Sequence, residues 1–119
     1  MSDIDLNQLP LLDEDIIIEL REIMEDEFTD LLNTFLHDLP VQLAHMEAAV
    51  AQGDSNELYS AAHKLKSSCG SLGALRLAEV VRRLEQAGRD GTVADAVALL
   101  PLARDFTATT MARLQQHIA

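Results

Sequence analysis

One histidine of this sequence lies among the only lysines of the chain. His63 is followed by Lys64 and Lys66, and no other lysine occurs in 119 residues that carry a formal net charge of −11. A neutral imidazole nitrogen is a competent nucleophile near neutral pH, and an ammonium group one helical turn away attracts an anion held by the ring. The cluster therefore indicates a histidine that accepts an anionic group, for which a phosphoryl group is the natural candidate.

The other histidines and the cysteine show no second reactive pattern. His37 and His45 are eight residues apart, His117 is near the end of the chain, and neither an HxxxH nor a CxxC pair is present. Zinc sites are usually built from such closely spaced pairs. We therefore expect no metal site and no bound cofactor, and we expect Cys69 to be a packed core residue.

The composition favours one all-α domain. Hydrophobic residues make up 48% of the chain and aromatic residues only 3%, a balance that favours helix over sheet. The negative charge would repel nucleic acid and anionic lipid, which bind mainly through Lys and Arg. The N-terminus lacks a positively charged leader region, and no apolar stretch reaches the length of a membrane span. We expect a cytoplasmic monomer that binds neither nucleic acid nor membrane.

Apolar residues recur at helical spacing over five segments. Residues 1–12 are predicted to form a flexible arm, and residues 13–119 the domain. Pro40 should kink or split the second helix, with a kink expected, and Pro101 should kink or split the last one. Short connections predict an up-down-up-down four-helix bundle with the short first helix across one end. The five helices are expected over about 13–24, 26–52, 54–72, 74–87 and 92–118.

Polar and glycine residues mark the ends of these helices. Asp13, Asp54 and Thr92 are predicted N-caps, and each of the last two is followed three residues later by an acidic residue, as in a capping box. Gly88 and Gly91 are predicted to bracket the turn before the last helix.

The third helix places His63 opposite its buried stripe. At about 100° per residue, the apolar residues 58–72 fall within roughly 60° of Leu65, whereas His63 falls roughly 160° away. His63 should therefore face water, on a side of the helix where small or polar residues would let a protein surface approach. The predicted partner contacts on this side are Tyr59, Ser60, Lys64 and Gly70.

The first helix carries more apolar residues than one packing face can use. Ile16, Ile17, Ile18 and Leu20 follow one another too closely to point at the same core. One interpretation is that some of them, Ile17 included, extend the docking surface beside His63. The other interpretation, simple packing of a short helix, remains open.

The sequence around His63 resembles the signature of the histidine phosphotransfer (HPt) family. Residues 63–74 read H-K-L-K-S-S-C-G-S-L-G-A, which is similar to the family pattern H-x-L-K-G-x-x-x-x-(L/V)-G without a gap. Flanking segments extend the resemblance to about residues 28–90. It implies a four-helix bundle whose histidine takes a phosphoryl group from an aspartate of one receiver domain and passes it to another.

Carried over position by position, the resemblance implies that His63 is the phospho-acceptor and that Lys66 steadies the phosphoryl group. Glu85 matches a fourth-helix Glu or Gln that lies beside the histidine and could orient the ring by accepting its other N–H. The chain departs from the family at Ser67, where Gly is usual. The Ser67 side chain either obstructs the phosphoryl group as it approaches His63 or donates a hydrogen bond to it. Both interpretations remain open.

The resemblance also implies the partners, which are the receiver domain of a hybrid sensor kinase and that of a response regulator, with any Mg²⁺ bound by the receiver. The sequence has no Gly-rich phosphate loop and no acidic metal cluster, so we expect a carrier without ATP-dependent kinase activity. Two alternatives stay open. The chain could be a helical adaptor that sequesters a response regulator without phosphotransfer, or a segment of a larger sensor kinase, although Met1 favours a stand-alone protein.

Overall fold

The computed structural model describes residues 5–118 and shows only helices there, with no strand. Residues 1–4, at the start of the predicted arm, and residue 119, at the end of the predicted domain, lie outside the described part. The all-α prediction is confirmed. The helices are α1 (Glu14–Met24), α2 (Glu27–Gln52), α3 (Ser55–Leu72), α4 (Leu75–Asp90), α5 (Val93–Ala96) and α6 (Leu100–Gln115), with 3₁₀ segments at Leu6–Gln8 and Val97–Leu99.

The four long helices form the predicted bundle. Helices α2 and α4 each pack against both α3 and α6, and the short α1 packs against α2. Only two residues separate α2 from α3, and two separate α3 from α4, so these neighbours are antiparallel. Side chains from all four helices meet in one core, whose fully buried members include Leu32, Leu39, Met46, Leu58, Leu77, Val80, Leu84 and Leu114.

The two prolines within helical segments have different effects. Pro40 lies inside α2, which is continuous from Glu27 to Gln52. It therefore does not split the helix, and the kink stays a prediction. Pro101 stands in the first turn of α6, where its missing N–H has no helical partner to lose. The predicted last helix is accordingly divided into α5, a 3₁₀ segment and α6.

The prediction that Gly88 lies in the turn after α4 was wrong. Helix α4 continues through Gly88, and Gly91, with φ 72°, ends it. A Cβ atom at Gly88 would lie 2.6 Å from the backbone nitrogen of Tyr59. The glycine therefore serves helix packing, since its lack of a side chain lets α4 approach the backbone of α3 one turn before His63.

Two of the three predicted N-caps are confirmed. The carboxylate of Asp13 accepts hydrogen bonds from two backbone N–H groups of α1, and that of Asp54 accepts one from Glu57 at 3.1 Å. Thr92 does occupy the N-cap position of α5, but the predicted capping hydrogen bond was wrong, because its side chain caps no N–H of that helix. Its hydroxyl instead donates to the carbonyl oxygen of Ala87 at 3.5 Å, near the end of α4.

The described part of the predicted arm packs against the bundle. Leu6 and Leu12 are buried, and the guanidinium of Arg76 donates to the carbonyl oxygen of Leu9 at 2.7 and 3.0 Å. The prediction of a loose arm is therefore wrong for residues 5–12. The 3₁₀ segment of this arm, Leu6–Gln8, contacts α4. The local sequence does not reveal this contact.

Candidate functional site

His63 lies in the middle of α3 and faces solvent. Its side chain is 53% exposed, which confirms the prediction from the helical pattern. The opposite side of α3 supplies core residues to the bundle, namely Leu58, Ala61, Ala62, Leu65, Cys69 and Leu72. This packing fixes the helix and leaves the imidazole at the surface.

Glu85 of α4 lies behind the imidazole ring and joins two other residues of the site. Its Oε2 atom is 2.7 Å from Nδ1 of His63, and its Oε1 atom is 2.8 Å from Nζ of Lys66. The Glu85 side chain is only 4% exposed. The structure thus brings together the three residues that the family resemblance had singled out from two different helices.

The charge state of Glu85 fixes the hydrogen on the imidazole. Burial alone would favour the neutral acid, but the hydrogen bonds from Lys66 and His63 and their positive charge outweigh it and lower the pKa of Glu85 below its usual 4.5. Glu85 is therefore a carboxylate at neutral pH and can only accept. Nδ1 of His63 must donate to it, so the lone pair of the neutral ring lies on Nε2.

Arg89 also belongs to this cluster, and sequence reasoning missed it. Its Nη2 atom lies 3.6 Å from Oε1 of Glu85, the same oxygen that accepts from Lys66. The available signal was its spacing, because a residue four positions after Glu85 on one helix lies on the same face. The buried carboxylate is thus surrounded by two cations and an imidazole.

Tyr59 packs against the ring of His63, one turn earlier on α3. The two ring centroids are 5.6 Å apart and the ring planes differ by 19°. The guanidinium carbon of Arg89 lies 5.5 Å from the centroid of the Tyr59 ring. Tyr59 had been predicted as a partner contact, and the structure shows that part of its surface is already used by His63 and Arg89.

The hydroxyl of Ser67 donates to the backbone carbonyl oxygen of His63 at 3.3 Å. Ser68 and Ser71 make the same kind of bond to carbonyl oxygens one turn back. In this rotamer the Ser67 hydroxyl is bound to its own helix. The two readings of Ser67, obstruction of the phosphoryl group or a hydrogen bond to it, both stay predictions.

Ser60, Lys64 and Gly70 are exposed on α3, as a partner contact requires. Their contact with a partner stays a prediction. Ile17 is 0% exposed, so the prediction that it extends the docking surface was wrong. It belongs to the core together with Leu12, which agrees with the other interpretation, simple packing of a short helix.

Other kinds of site find little support in the described residues. Burial raises the pKa of the Cys69 thiol to about 12, so it stays protonated and unreactive at neutral pH. Within residues 5–118, no three side chains of the types that bind metals come together. None of the helices between residues 5 and 118 combines the length and the hydrophobicity of a membrane span.

Comparisons with known proteins agree with this geometry. A family model described as the Hpt domain matches residues 30–118. The crystal structure of histidine-containing phosphotransfer protein B (HptB) from Pseudomonas aeruginosa PAO1 is 33% identical, with 91% of this chain and 94% of that chain covered and a TM-score of 0.87. No curated protein sequence matches.

Two more distant structures have the same fold. The HPT domain of a sensor hybrid histidine kinase from Shewanella is 20% identical, with 96% of each chain covered and a TM-score of 0.75. A putative histidine-containing phosphotransfer protein from rice is 20% identical, with 92% of this chain and 86% of that chain covered and a TM-score of 0.72. Because the family model spans residues 30–118 and the Pseudomonas protein is similar over nearly all of its length, this chain belongs to the Hpt domain family.

Proposed function

We propose that His63 is the residue through which this Hpt domain carries a phosphoryl group in a phosphorelay. The function of the domain is histidine phosphotransfer. The observation that carries the assignment to His63 is its 2.7 Å hydrogen bond from Nδ1 to Glu85 on a side chain that is 53% exposed. One ring nitrogen is held by the protein, and the other is left for the phosphoryl group.

The proposed transfer is a displacement at phosphorus. The Nε2 lone pair of His63 attacks the phosphorus of a receiver aspartyl phosphate, and the bond between phosphorus and the aspartyl oxygen breaks. Its electron pair goes to the aspartate, which leaves as a carboxylate. The hydrogen on Nδ1 remains bonded to Glu85, which stabilises the positive charge that the ring gains. A second receiver aspartate then attacks the same phosphorus in reverse.

Lys66 is proposed to steady the phosphoryl group once it is on the ring. The lysine side chain is 35% exposed and is held at Glu85 in the unmodified protein. It lies one helical turn from His63, so a small rotation would bring its ammonium near the phosphoryl oxygens. The positive charge of Lys66 would then offset the negative charge of the transferred phosphoryl group. Arg89 would remain beside Glu85 and keep the buried carboxylate paired.

The proposed partners are the receiver domain of a hybrid sensor kinase and that of a response regulator. A receiver supplies the aspartate, and we expect it to bind any Mg²⁺ the reaction needs. The proposed carrier has no kinase activity of its own. A monomeric state and a cytoplasmic location also stay predictions.

Phosphotransfer from a radiolabelled receiver would test the assignment. The parent should acquire label that is lost in acid and stable in base, as expected for a phosphohistidine, whereas a His63→Gln variant should acquire none. His37→Gln and His45→Gln are matched controls, because both residues are exposed histidines on α2. These two variants should be labelled like the parent.

The same assay separates the carrier from the adaptor alternative. If receivers bind the parent but none transfers label, the domain sequesters its partner and the carrier proposal fails. Label that persists in His63→Gln but disappears in one of the other histidine variants would move the acceptor to that histidine.

A further inference from the structure

The hydrogen bond to Glu85 does not by itself fix the imidazole of His63. A ring that is 53% exposed and tethered through one nitrogen can still tilt about that contact. Attack at phosphorus uses the Nε2 lone pair, which lies in the ring plane, so the tilt decides the direction from which the phosphoryl group must approach. A second contact on the ring face would remove this freedom.

Tyr59 makes that contact. It precedes His63 by four residues on α3, and helical side chains lean toward the N-terminus, so the imidazole leans over the phenol ring. The centroid separation of 5.6 Å and the interplanar angle of 19° are those of a stacked aromatic pair. The phenol ring thereby contacts one face of the imidazole and leaves the ring edges to Glu85 and to an incoming phosphoryl group.

The tyrosine is itself held in place by α4. Arg89 places its guanidinium over the phenol ring, with 5.5 Å between guanidinium carbon and ring centroid. Gly88 allows the backbone of Tyr59 to lie against α4, where a Cβ atom would come within 2.6 Å of its nitrogen. The phenol ring is therefore fixed from the same helix that carries Glu85.

We propose that Tyr59 is a positioning residue, whose ring holds the imidazole plane of His63 so that Nε2 points along the path of the incoming phosphoryl group. The inference rests on the proposed role of His63 as phospho-acceptor. It assigns Tyr59 to the orientation of the nucleophile, whereas a docking residue would act through affinity for the receiver.

Single-turnover transfer from a phosphorylated receiver distinguishes these two roles. Replacing Tyr59 by Leu should lower the rate at saturating receiver by about three- to tenfold, the size expected for the loss of one aromatic pair. The receiver concentration that gives half the maximal rate should stay within about twofold of the parent. A Tyr59→Phe variant keeps the stack and should restore the parental rate.

A change confined to the half-saturating concentration would make Tyr59 a docking contact and overturn the proposal. So would a Tyr59→Leu variant with the parental saturating rate. Phe106→Leu is a matched control, because it removes an aromatic ring of α6 that also lies under an arginine, Arg76. Its saturating rate should equal that of the parent.

The ring of His63 can also be observed before any phosphate is transferred. Carbon-13 NMR relaxation of the imidazole C–H groups should show a rigid ring in the parent and in Tyr59→Phe. In Tyr59→Leu the ring should become mobile, while its hydrogen stays on Nδ1 because Glu85 is unchanged. If the parent takes up no phosphate, the proposed function fails, and these measurements still decide the positioning role. Identical relaxation in all three proteins would refute it whether or not phosphate is transferred.

Discussion

Two histidines of this molecule have similar partners and opposite exposure. Nδ1 of His63 donates to Glu85, with basic side chains close to the same carboxylate. His117, which follows α6, also contacts a glutamate and an arginine. Its Nε2 atom is 3.0 Å from Glu14, and its Nδ1 atom is 2.8 Å from Nη2 of Arg21.

The difference lies in how many ring nitrogens are occupied. In His117 the arginine donates to one nitrogen and the glutamate accepts from the other, so no lone pair is left. Its side chain is 17% exposed beside a glutamate that is 43% exposed. His63 has the reverse arrangement, with a 53% exposed imidazole over a 4% exposed glutamate. A buried carboxylate behind one nitrogen leaves the other nitrogen free for the proposed attack at phosphorus. Two occupied nitrogens instead make a clasp between α1 and the end of α6.

The largest expected difference between the two histidines appears when each is replaced by Gln. The His63→Gln variant should accept no phosphate, because its amide nitrogen has no available lone pair. The His117→Gln variant should transfer within about twofold of the parent and lose about 1 kcal/mol or less of unfolding free energy. Transfer assays and thermal unfolding of both proteins check this contrast. Loss of transfer in a folded His117→Gln would break it.

Removing the two glutamates should give the next largest effect. Glu85→Ala frees the imidazole and should slow transfer by roughly ten- to a hundredfold, while Glu14→Ala should leave the rate unchanged. Glu85→Gln keeps an oxygen that accepts from Nδ1 and should retain more activity than Glu85→Ala. If Glu85→Gln were slowed as much as Glu85→Ala, the charge of Glu85 would matter rather than its orientation of the ring. Circular dichroism would confirm that each variant is folded.

The two lysines next to His63 should show a smaller effect. Lys66→Ala should lower the lifetime of phosphorylated His63 or its transfer rate by about tenfold, the value of one partly exposed charge-assisted hydrogen bond. Fold and receiver binding should be nearly intact. Lys64→Ala removes the same charge from an exposed neighbour and should have a smaller effect. An unchanged lifetime and rate in Lys66→Ala would contradict the role proposed for it.

The surroundings of His63 could be predicted from the sequence, whereas those of His117 could not. The helical pattern and the HPt-like signature placed His63 at the surface, and the resemblance singled out Lys66 and Glu85. These features are encoded locally or in a motif. The clasp around His117 joins residues nearly a hundred positions apart, and nothing in the periodicity of α1 or α6 specifies that contact.

The missed features depend on distances between helices. In the sequence, Gly88 resembles a helix stop. Only the packed structure shows that a Cβ atom at this position would lie 2.6 Å from the backbone of α3. Ile17 resembles one of several surplus apolar residues until the packing of α1 makes it fully buried. The stack of Tyr59 and the contact of Arg89 with Glu85 likewise require the α3–α4 separation. Local propensity sets the elements, and tertiary packing decides these contacts.

The smallest expected effect is on stability in acid. The pKa of Glu85 lies below its usual 4.5 in the folded protein, so its ionised form is favoured by folding. Such a group stabilises the protein above its unfolded pKa, and that contribution is lost as pH falls through the folded pKa. The difference in unfolding free energy between the parent and Glu85→Gln should therefore be constant near neutral pH and shrink below about pH 4.5.

Urea titrations of both proteins at several pH values between neutral and strongly acidic would measure this difference. Glu14→Gln controls for the loss of one acidic group at the contrasting site. If the advantage of the parent instead grew on acidification, folding would raise the pKa of Glu85 above its usual 4.5, with burial outweighing its hydrogen bonds. A carboxyl group that binds its proton more readily could donate to the imidazole, so hydrogen would be less confined to Nδ1 and the argument that Nε2 is left free would be weakened.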